Sequence, residues 1–157
     1  MSAPRFELLR LLLRRQTLAA LNTLHRGEPY VSMVPFALDE ATPEFLIHVS
    51  SLSPHTRDML EHRRVSLLVV APDDGGAPQA RARATIQGDA APLDAGSPRH
   101  ASARALYLRR FPQAAEIFAL PDFSLFAIRP DSVRFIGGFA QAVGLTPELF
   151  ARALGEG

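Results

Sequence analysis

Thirteen prolines and ten glycines among 157 residues restrict this chain to short helices and strands, because both residue types interrupt long regular elements. The length fits one domain spanning residues 1–157, and 47% apolar residues suffice for an ordinary globular core. The chain contains no cysteine and no lysine. Disulfides, thiolate zinc sites, P-loop phosphate sites and Schiff-base enzymes are therefore excluded.

The N-terminal segment from Pro4 to about Leu24 carries leucines at helical spacing and arginines on the opposite face. This spacing predicts one helix over residues 4–24. We interpret the basic face as solvated surface, and nucleic-acid binding remains an alternative that no motif supports. The apolar run Leu11–Leu13 is too short for a signal peptide or a membrane span. We therefore expect a soluble, cytoplasmic protein that binds neither nucleic acid nor membrane.

Six segments that are apolar or alternate polar and apolar residues are typical of β-strands, and polar or proline-containing turns separate most of them. They are residues 30–38, 44–50, 65–71, 79–91, 123–128 and 132–136. Short helices are predicted at 54–62, 98–110, 112–119 and 147–154, three of them opened by Ser-Pro or Thr-Pro pairs. Because neighbouring strands mostly lack helical crossovers, we expect an antiparallel sheet in a fold that is mainly β with flanking helices (α+β). A small closed or split barrel is the economical arrangement.

The junction between the strand at 44–50 and the following helix is a candidate anion site. Free amide groups and the positive end of the helix dipole favour an anion at a helix N-terminus. Side chains here could add hydroxyls, a ring nitrogen and a permanent charge; they are Ser50, Ser51, His55, Thr56 and Arg57. An equally weighted alternative is that the serine only caps the helix and Arg57 pairs with the nearby Asp58 or Glu61.

Arginines and histidines supply the remaining candidates. Arg81 and Arg83 lie on one face of a predicted strand, and we expect Arg83, which lies deeper in the strand, to contact a ligand. No metal site is expected, because the histidines lack the spacing and the carboxylate partners that zinc requires. They are His25, His48, His55, His62 and His100. His48 is expected to be packed and hydrogen-bonded in a strand, and no catalytic residue can be identified.

Seven stretches together carry a family resemblance along nearly the whole chain. They are residues 27–36 (Gly-Glu-Pro-Tyr-Val-Ser-Met-Val-Pro-Phe), 50–58, 64–69, 83–90, 107–112, 122–126 and 135–142. In this order they resemble the FMN-binding split-barrel superfamily that includes pyridoxamine 5′-phosphate oxidase, and within it the HugZ/HutZ-type haem-utilisation branch. We interpret residues 137–142 as a structural turn after the last strand.

This resemblance implies a six-stranded antiparallel split β-barrel that forms a homodimer with FMN in clefts at the subunit interface. The backbone of one strand would lie along the flavin ring, at Val31, Ser32, Met33 and Val34. Ser50, His55 and Thr56 would receive the phosphate, and Arg83 would reach the cofactor. The function expected is that of a flavin-dependent oxidoreductase acting on an unknown small molecule. The alternative is a haem-binding or haem-handling module without flavin chemistry.

Overall fold

The computed structural model describes residues 3–138 and 141–155. The helices are α1 (Ala3–Arg15), α2 (Pro54–Glu61), α3 (Pro98–Arg110) and α4 (Pro147–Gly155), with 3₁₀ segments at Pro78–Ala80 and Pro112–Ala119. The strands are β1 (Leu18–His25), β2 (Glu28–Pro35), β3 (Ala37–Asp39), β4 (Glu44–Ser50), β5 (Arg64–Val70), β6 (Arg83–Pro92), β7 (Phe123–Ile136) and β8 (Ala142–Leu145).

The eight strands of the described residues belong to one antiparallel sheet that curls into a half-barrel, with seven of them in the order β2-β1-β5-β6-β7-β4-β3 and β8 beside β7. The register aligns Leu21, Leu67, Ile86 and Val133 in one row across four strands. Each of these side chains is at most 2% exposed. Apolar side chains of α1 and α4 pack into the same cluster, so the core lies between the inner face of the sheet and these two helices.

Among residues 3–138 and 141–155, the outer face of the sheet is covered at one end only. There, α3 and the 3₁₀ segment Pro112–Ala119 pack on β4 and β7 in a second, smaller cluster that includes Leu46, Tyr107 and Leu125. At the other end, β2, β1 and β5 expose large apolar side chains to solvent; these are Leu18, Val31, Met33 and Leu68, which are 37–65% exposed. One broad apolar surface is therefore left open.

The helix predicted over residues 4–24 is wrong in its second half, because α1 ends at Arg15 and β1 begins at Leu18. Leucines spaced by three residues fit a helix, yet Ala19, Leu21 and Thr23 alternate as the buried side chains, as in a strand. Pairing with β2 on one side and β5 on the other satisfies this backbone. Tertiary pairing thus overrides the local helical pattern.

The predicted count of six strands is also wrong. The segment at 30–38 forms two strands, β2 and β3, separated by the buried Phe36, and the segments at 123–128 and 132–136 form the single strand β7. β1 was expected to be helical, and β8 begins at the last residue of the predicted turn and continues over residues for which no element was predicted. The antiparallel sheet and the flanking helices are confirmed.

Pro130 does not end β7, because a β-bulge accommodates it. The register between β6 and β7 shifts after Gln87, so that Gln87 lies opposite Ser132 but Gly88 lies opposite Pro130. Asp131 is the extra residue of the bulge and forms an ion pair with Arg64 of β5. A bulge is where a sheet tolerates a residue that has no backbone N–H.

The four remaining helix predictions are confirmed to within one residue, and residues 112–119 are a 3₁₀ segment. Phe139 and Ala140 of the predicted turn at 137–142 lie outside the described residues. Across residues 3–138 and 141–155, no helix has the length and apolar character needed to cross a bilayer. The cytoplasmic location and the single domain stay predictions.

Candidate functional site

Polar side chains meet where α2 packs against the hairpin formed by β1 and β2. We call this group the hairpin–helix site; its members are Thr23, His25, Tyr30, Ser32, His55 and Asp58. Thr23 and His25 lie two residues apart on β1, which places them on the same face of the strand. Asp58 of α2 lies against that face and is only 2% exposed. The site therefore joins residues from three separate elements.

The Asp58 carboxylate is held by two side chains of β1. Thr23 Oγ1 donates a hydrogen bond of 2.8 Å to Asp58 Oδ2, and His25 Nδ1 lies 2.7 Å from Asp58 Oδ1. A carboxylate only accepts hydrogen bonds, so Nδ1 of His25 carries the proton. Within the described residues no partner is recorded for the other ring nitrogen, Nε2, and the His25 side chain is 35% exposed.

The second histidine of the site is His55, on the first turn of α2. Its Nδ1 lies 3.1 Å from Ser32 Oγ of β2. Burial lowers the pKa of His55 below its ordinary value, and the negative charge of Asp58 opposes that shift only in part. Beside it, the rings of His25 and Tyr30 are 5.2 Å apart. Two histidines, a tyrosine and a buried carboxylate thus border the edge strand of the sheet.

At the start of α2, the predicted phosphate contacts are already engaged by the protein itself. Ser50 Oγ donates to Asp122 Oδ2 at 2.9 Å, and Thr56 Oγ1 donates to the Ser50 carbonyl at 2.6 Å. Thr56 is also only 2% exposed. Neither hydroxyl is free to donate to a phosphate, and the Asp122 carboxylate would repel one. Of the predicted set, Ser51, His55 and Arg57 keep side chains that can reach a ligand.

The other predicted contacts are spread over the sheet. Val31 and Met33 are exposed on the edge strand β2, whereas Val34 is buried. Arg83 donates to the carbonyls of Gln79 and Arg81 at 2.9 and 3.0 Å. Two strands, β5 and β1, separate Arg83 on β6 from β2. The structure therefore brings Ser32 and His55 together and leaves Arg83 apart from them.

His25 and Asp58 were missed by the sequence analysis, which found no histidine with a carboxylate partner. They lie 33 residues apart, so no local spacing connects them. The two-residue spacing of Thr23 and His25 indicates a shared face only when residues 18–25 are recognised as a strand. The Asp58 carboxylate, considered as a partner for Arg57, instead points inward to β1.

Comparison with known proteins finds relatives that are named for haem. The family model described as pyridoxamine 5′-phosphate oxidase matches residues 7–137. The chain is 35% identical over 127 residues to the non-canonical haem oxygenase HOZ of Arabidopsis thaliana, covering 80% of this chain and 37% of HOZ. It is 28% identical over 131 residues to the haem oxygenase HutZ of Vibrio cholerae, covering 82% of this chain and 73% of HutZ.

One of the similar solved structures is also named for haem. The haem-binding protein from Mycobacterium smegmatis superposes with a TM-score of 0.86 at 29% identity, covering 97% of this chain and 61% of that protein. The chain thus spans under two fifths of HOZ and about three fifths of the mycobacterial protein.

The predicted FMN cofactor and flavin-dependent oxidoreductase function are wrong, because these relatives are named for haem and not for flavin. The engaged hydroxyls of Ser50 and Thr56 give a physical reason, since a flavin phosphate would find a carboxylate there. The family resemblance itself is confirmed, and its match extends over most of the chain. This protein therefore belongs to the pyridoxamine 5′-phosphate oxidase family, on its HutZ-type branch.

Proposed function

We propose that this protein is a haem-binding, haem-handling module and that the hairpin–helix site contacts the haem. Three relatives named for haem support this proposal. The structural observation that carries it is the hairpin–helix site, where the partly buried His25 lies beside the 37% exposed ring of Tyr30 and the partly buried His55 lies against Ser32.

The side chains around the site suit the chemistry of a porphyrin. A flat apolar ring gains free energy by covering exposed apolar groups, and the ring of Tyr30, which is 37% exposed, lies 5.2 Å from the His25 ring. Two exposed arginines flank the site, Arg26 beside His25 and Arg57 beside Asp58. Within the part of the chain that the structure describes, neither guanidinium forms an ion pair, so both could pair with propionates. Haem, when bound, would supply an iron centre for ligand binding or redox chemistry.

Titration of the purified protein with ferric haem tests this proposal. We expect a saturable Soret band, and no binding of FMN at the same concentrations because the α2 start offers it no free hydroxyl. Replacing Arg57 with glutamate should weaken haem binding roughly tenfold, the lower end of what a charged hydrogen bond contributes. Arg63→Glu, an exposed arginine in the turn after α2, is the matched control. A wild-type protein without a saturable Soret band would overturn the proposal.

We further propose that the protein is a homodimer that uses the exposed end of the outer sheet face. Ala20 of β1 lies between Met33 of β2 and Leu68 of β5 in the register, so these side chains form one continuous apolar surface. Large exposed apolar patches mark interaction sites. A dimer formed on this surface would place its seam on the face of β2 opposite to the hairpin–helix site, because Met33 and Ser32 point to opposite sides of the strand.

Leu68→Glu is expected to convert the dimer into a monomer, because a buried unpaired carboxylate costs several kcal/mol. Light scattering coupled to size exclusion gives the mass directly. Leu52→Glu is the control, since Leu52 is 85% exposed and lies outside this surface. If wild type is itself monomeric at every concentration tested, the outer face is not a dimer interface.

A further inference from the structure

We propose that His25 binds the haem iron through Nε2 and that Asp58 is the positioning residue that holds the ring for this role. The inference rests on the proposed function, since it names the residue of the hairpin–helix site that would contact the metal. It assigns a role to a pair of residues that the sequence does not connect.

The hydrogen bonds of His25 prepare one ring nitrogen for a metal. Asp58 accepts from Nδ1 at 2.7 Å, which fixes the tautomer and leaves the lone pair on Nε2. Metal-binding histidines commonly donate their other ring N–H to a carboxylate, which orients the ring and raises its basicity. Here Thr23 donates to the second carboxylate oxygen at 2.8 Å, so the carboxylate is held as well.

The position of the pair agrees with this role. Asp58 is 2% exposed while the His25 side chain is 35% exposed, so the carboxylate is shielded and the ring reaches the surface. A two-residue turn follows at once, with positive φ at both Arg26 (53°) and Gly27 (79°), which is typical of a tight hairpin. His25 is therefore held at the end of a rigid strand pair, beside the ring of Tyr30.

A purely structural role explains the buried carboxylate of Asp58 less well than a role in holding His25 does. A buried carboxylate is costly, and a neutral side chain could join α2 to the Thr23 hydroxyl at lower cost. The charge is useful where the partner is a histidine that must remain a good ligand. The chain has no cysteine, so thiolate ligation of the iron is excluded.

The other histidines are less suited to bind iron. His55 is partnered by the Ser32 hydroxyl, which can donate or accept and therefore does not fix the tautomer. His48 is stacked on Phe118 with ring centroids 3.8 Å apart. Among the described residues, His25 is the only histidine within ion-pair distance of a carboxylate.

Spectroscopy of the haem-loaded protein tests the assignment. We expect His25→Ala to retain haem through Tyr30 and the flanking arginines and to lose the spectrum of histidine-ligated iron, visible as a shifted Soret band and an altered electron paramagnetic resonance signal. Added imidazole should restore the wild-type spectrum, because it replaces the missing ligand. His62→Ala, which removes an exposed histidine just after α2, is the matched control and should leave the spectrum unchanged.

Asp58→Asn tests the positioning role separately. In the ferrous protein, the iron–histidine stretching frequency in the resonance Raman spectrum should fall, because an amide withdraws less proton density from Nδ1 than a carboxylate does. A purely structural Asp58 would leave that frequency unchanged while lowering thermal stability. Circular dichroism melting of the same variant records the stability, and the His25 variants test the ligand even if this one fails to fold.

The outcomes separate this inference from the proposed function. Wild-type protein that binds no haem would overturn the proposed function. Wild-type protein that binds haem with a spectrum unchanged in His25→Ala would overturn only the assignment of His25. Loss of the histidine-ligated spectrum in His55→Ala but not in His25→Ala would likewise overturn it.

Discussion

Replacing Gly88 with alanine is expected to destabilise the protein by ~4 kcal/mol or more, a large fraction of the roughly 5–15 kcal/mol by which folded domains are stable. A Cβ atom at this position would lie 2.2 Å from the Arg129 carbonyl oxygen, 2.8 Å from its carbon and 3.0 Å from Pro130 Cα. All three atoms are backbone atoms of β7, so no side-chain rotation can relieve the overlap. The two central strands would have to separate at the bulge.

Urea denaturation of Gly88→Ala beside wild type gives the difference in the free energy of unfolding. Gly144→Ala is the matched control, because it is also a strand glycine but a Cβ there meets nothing within 4 Å. We expect that variant to remain within about 0.5 kcal/mol of wild type. A Gly88→Ala protein as stable as the control would show that the β6–β7 bulge can open at little cost.

The bulge at Gly88 is also a feature that could not be predicted from the sequence. Pro130 was expected to separate two strands, which is the usual effect of proline in a sheet. Its accommodation depends on Gly88, which lies more than forty positions earlier and allows the close approach of the two backbones. The need for glycine at 88 is invisible until the strands are paired.

Short sequence motifs predicted correctly the helices whose ends are stabilised by neighbouring residues in the chain. The Ser-Pro pairs at 53–54 and 97–98 begin helices as expected, and Ser97 accepts a hydrogen bond from the amide of His100. Residues 18–25 were assigned wrongly because their leucines satisfy a helical spacing, and only pairing with β2 and β5 makes them a strand. The elements that local sequence could not predict are those whose backbone partners are distant in the chain.

The same limit explains the site. The resemblance implied a site at the start of α2 and on β2, and the structure brings Ser32 and His55 together there. Ser50 was expected to hold a phosphate, but its partner Asp122 is 72 residues away. His25 was expected to lack a carboxylate, but Asp58 reaches it across 33 residues. In both cases a distant carboxylate decides the chemistry, and no local motif encodes it.

The surroundings of His48 were predicted only in part from the sequence. It is packed in β4 as expected, and within the described residues its ring contacts are aromatic: Phe118 stacks on it, with Tyr107 and Phe123 nearby. No hydrogen bond to it is recorded there. Burial lowers the pKa of His48 from the ordinary 6.5 to about 4, and the positive charges of His100 and Arg104 add to the shift.

This shift predicts that the protein loses stability in mild acid. Between pH 6.5 and about 4 the unfolded chain protonates His48 while the folded chain does not, so the free energy of unfolding falls by about 1.4 kcal/mol per pH unit, roughly 3 kcal/mol in all. His48→Phe keeps a ring against Phe118 but cannot titrate, so its free energy of unfolding should not show the fall that is due to His48. The control His62→Gln leaves the surroundings of His48 intact and should show the same fall as wild type. Urea denaturation across this pH range measures the free energy of unfolding of the variant and of wild type. The contribution of the carboxylates is the same in both proteins, so it cancels in the difference. Parallel stability curves for His48→Phe and wild type would mean that His48 accepts a proton without unfolding, because its aromatic neighbours separate and admit water.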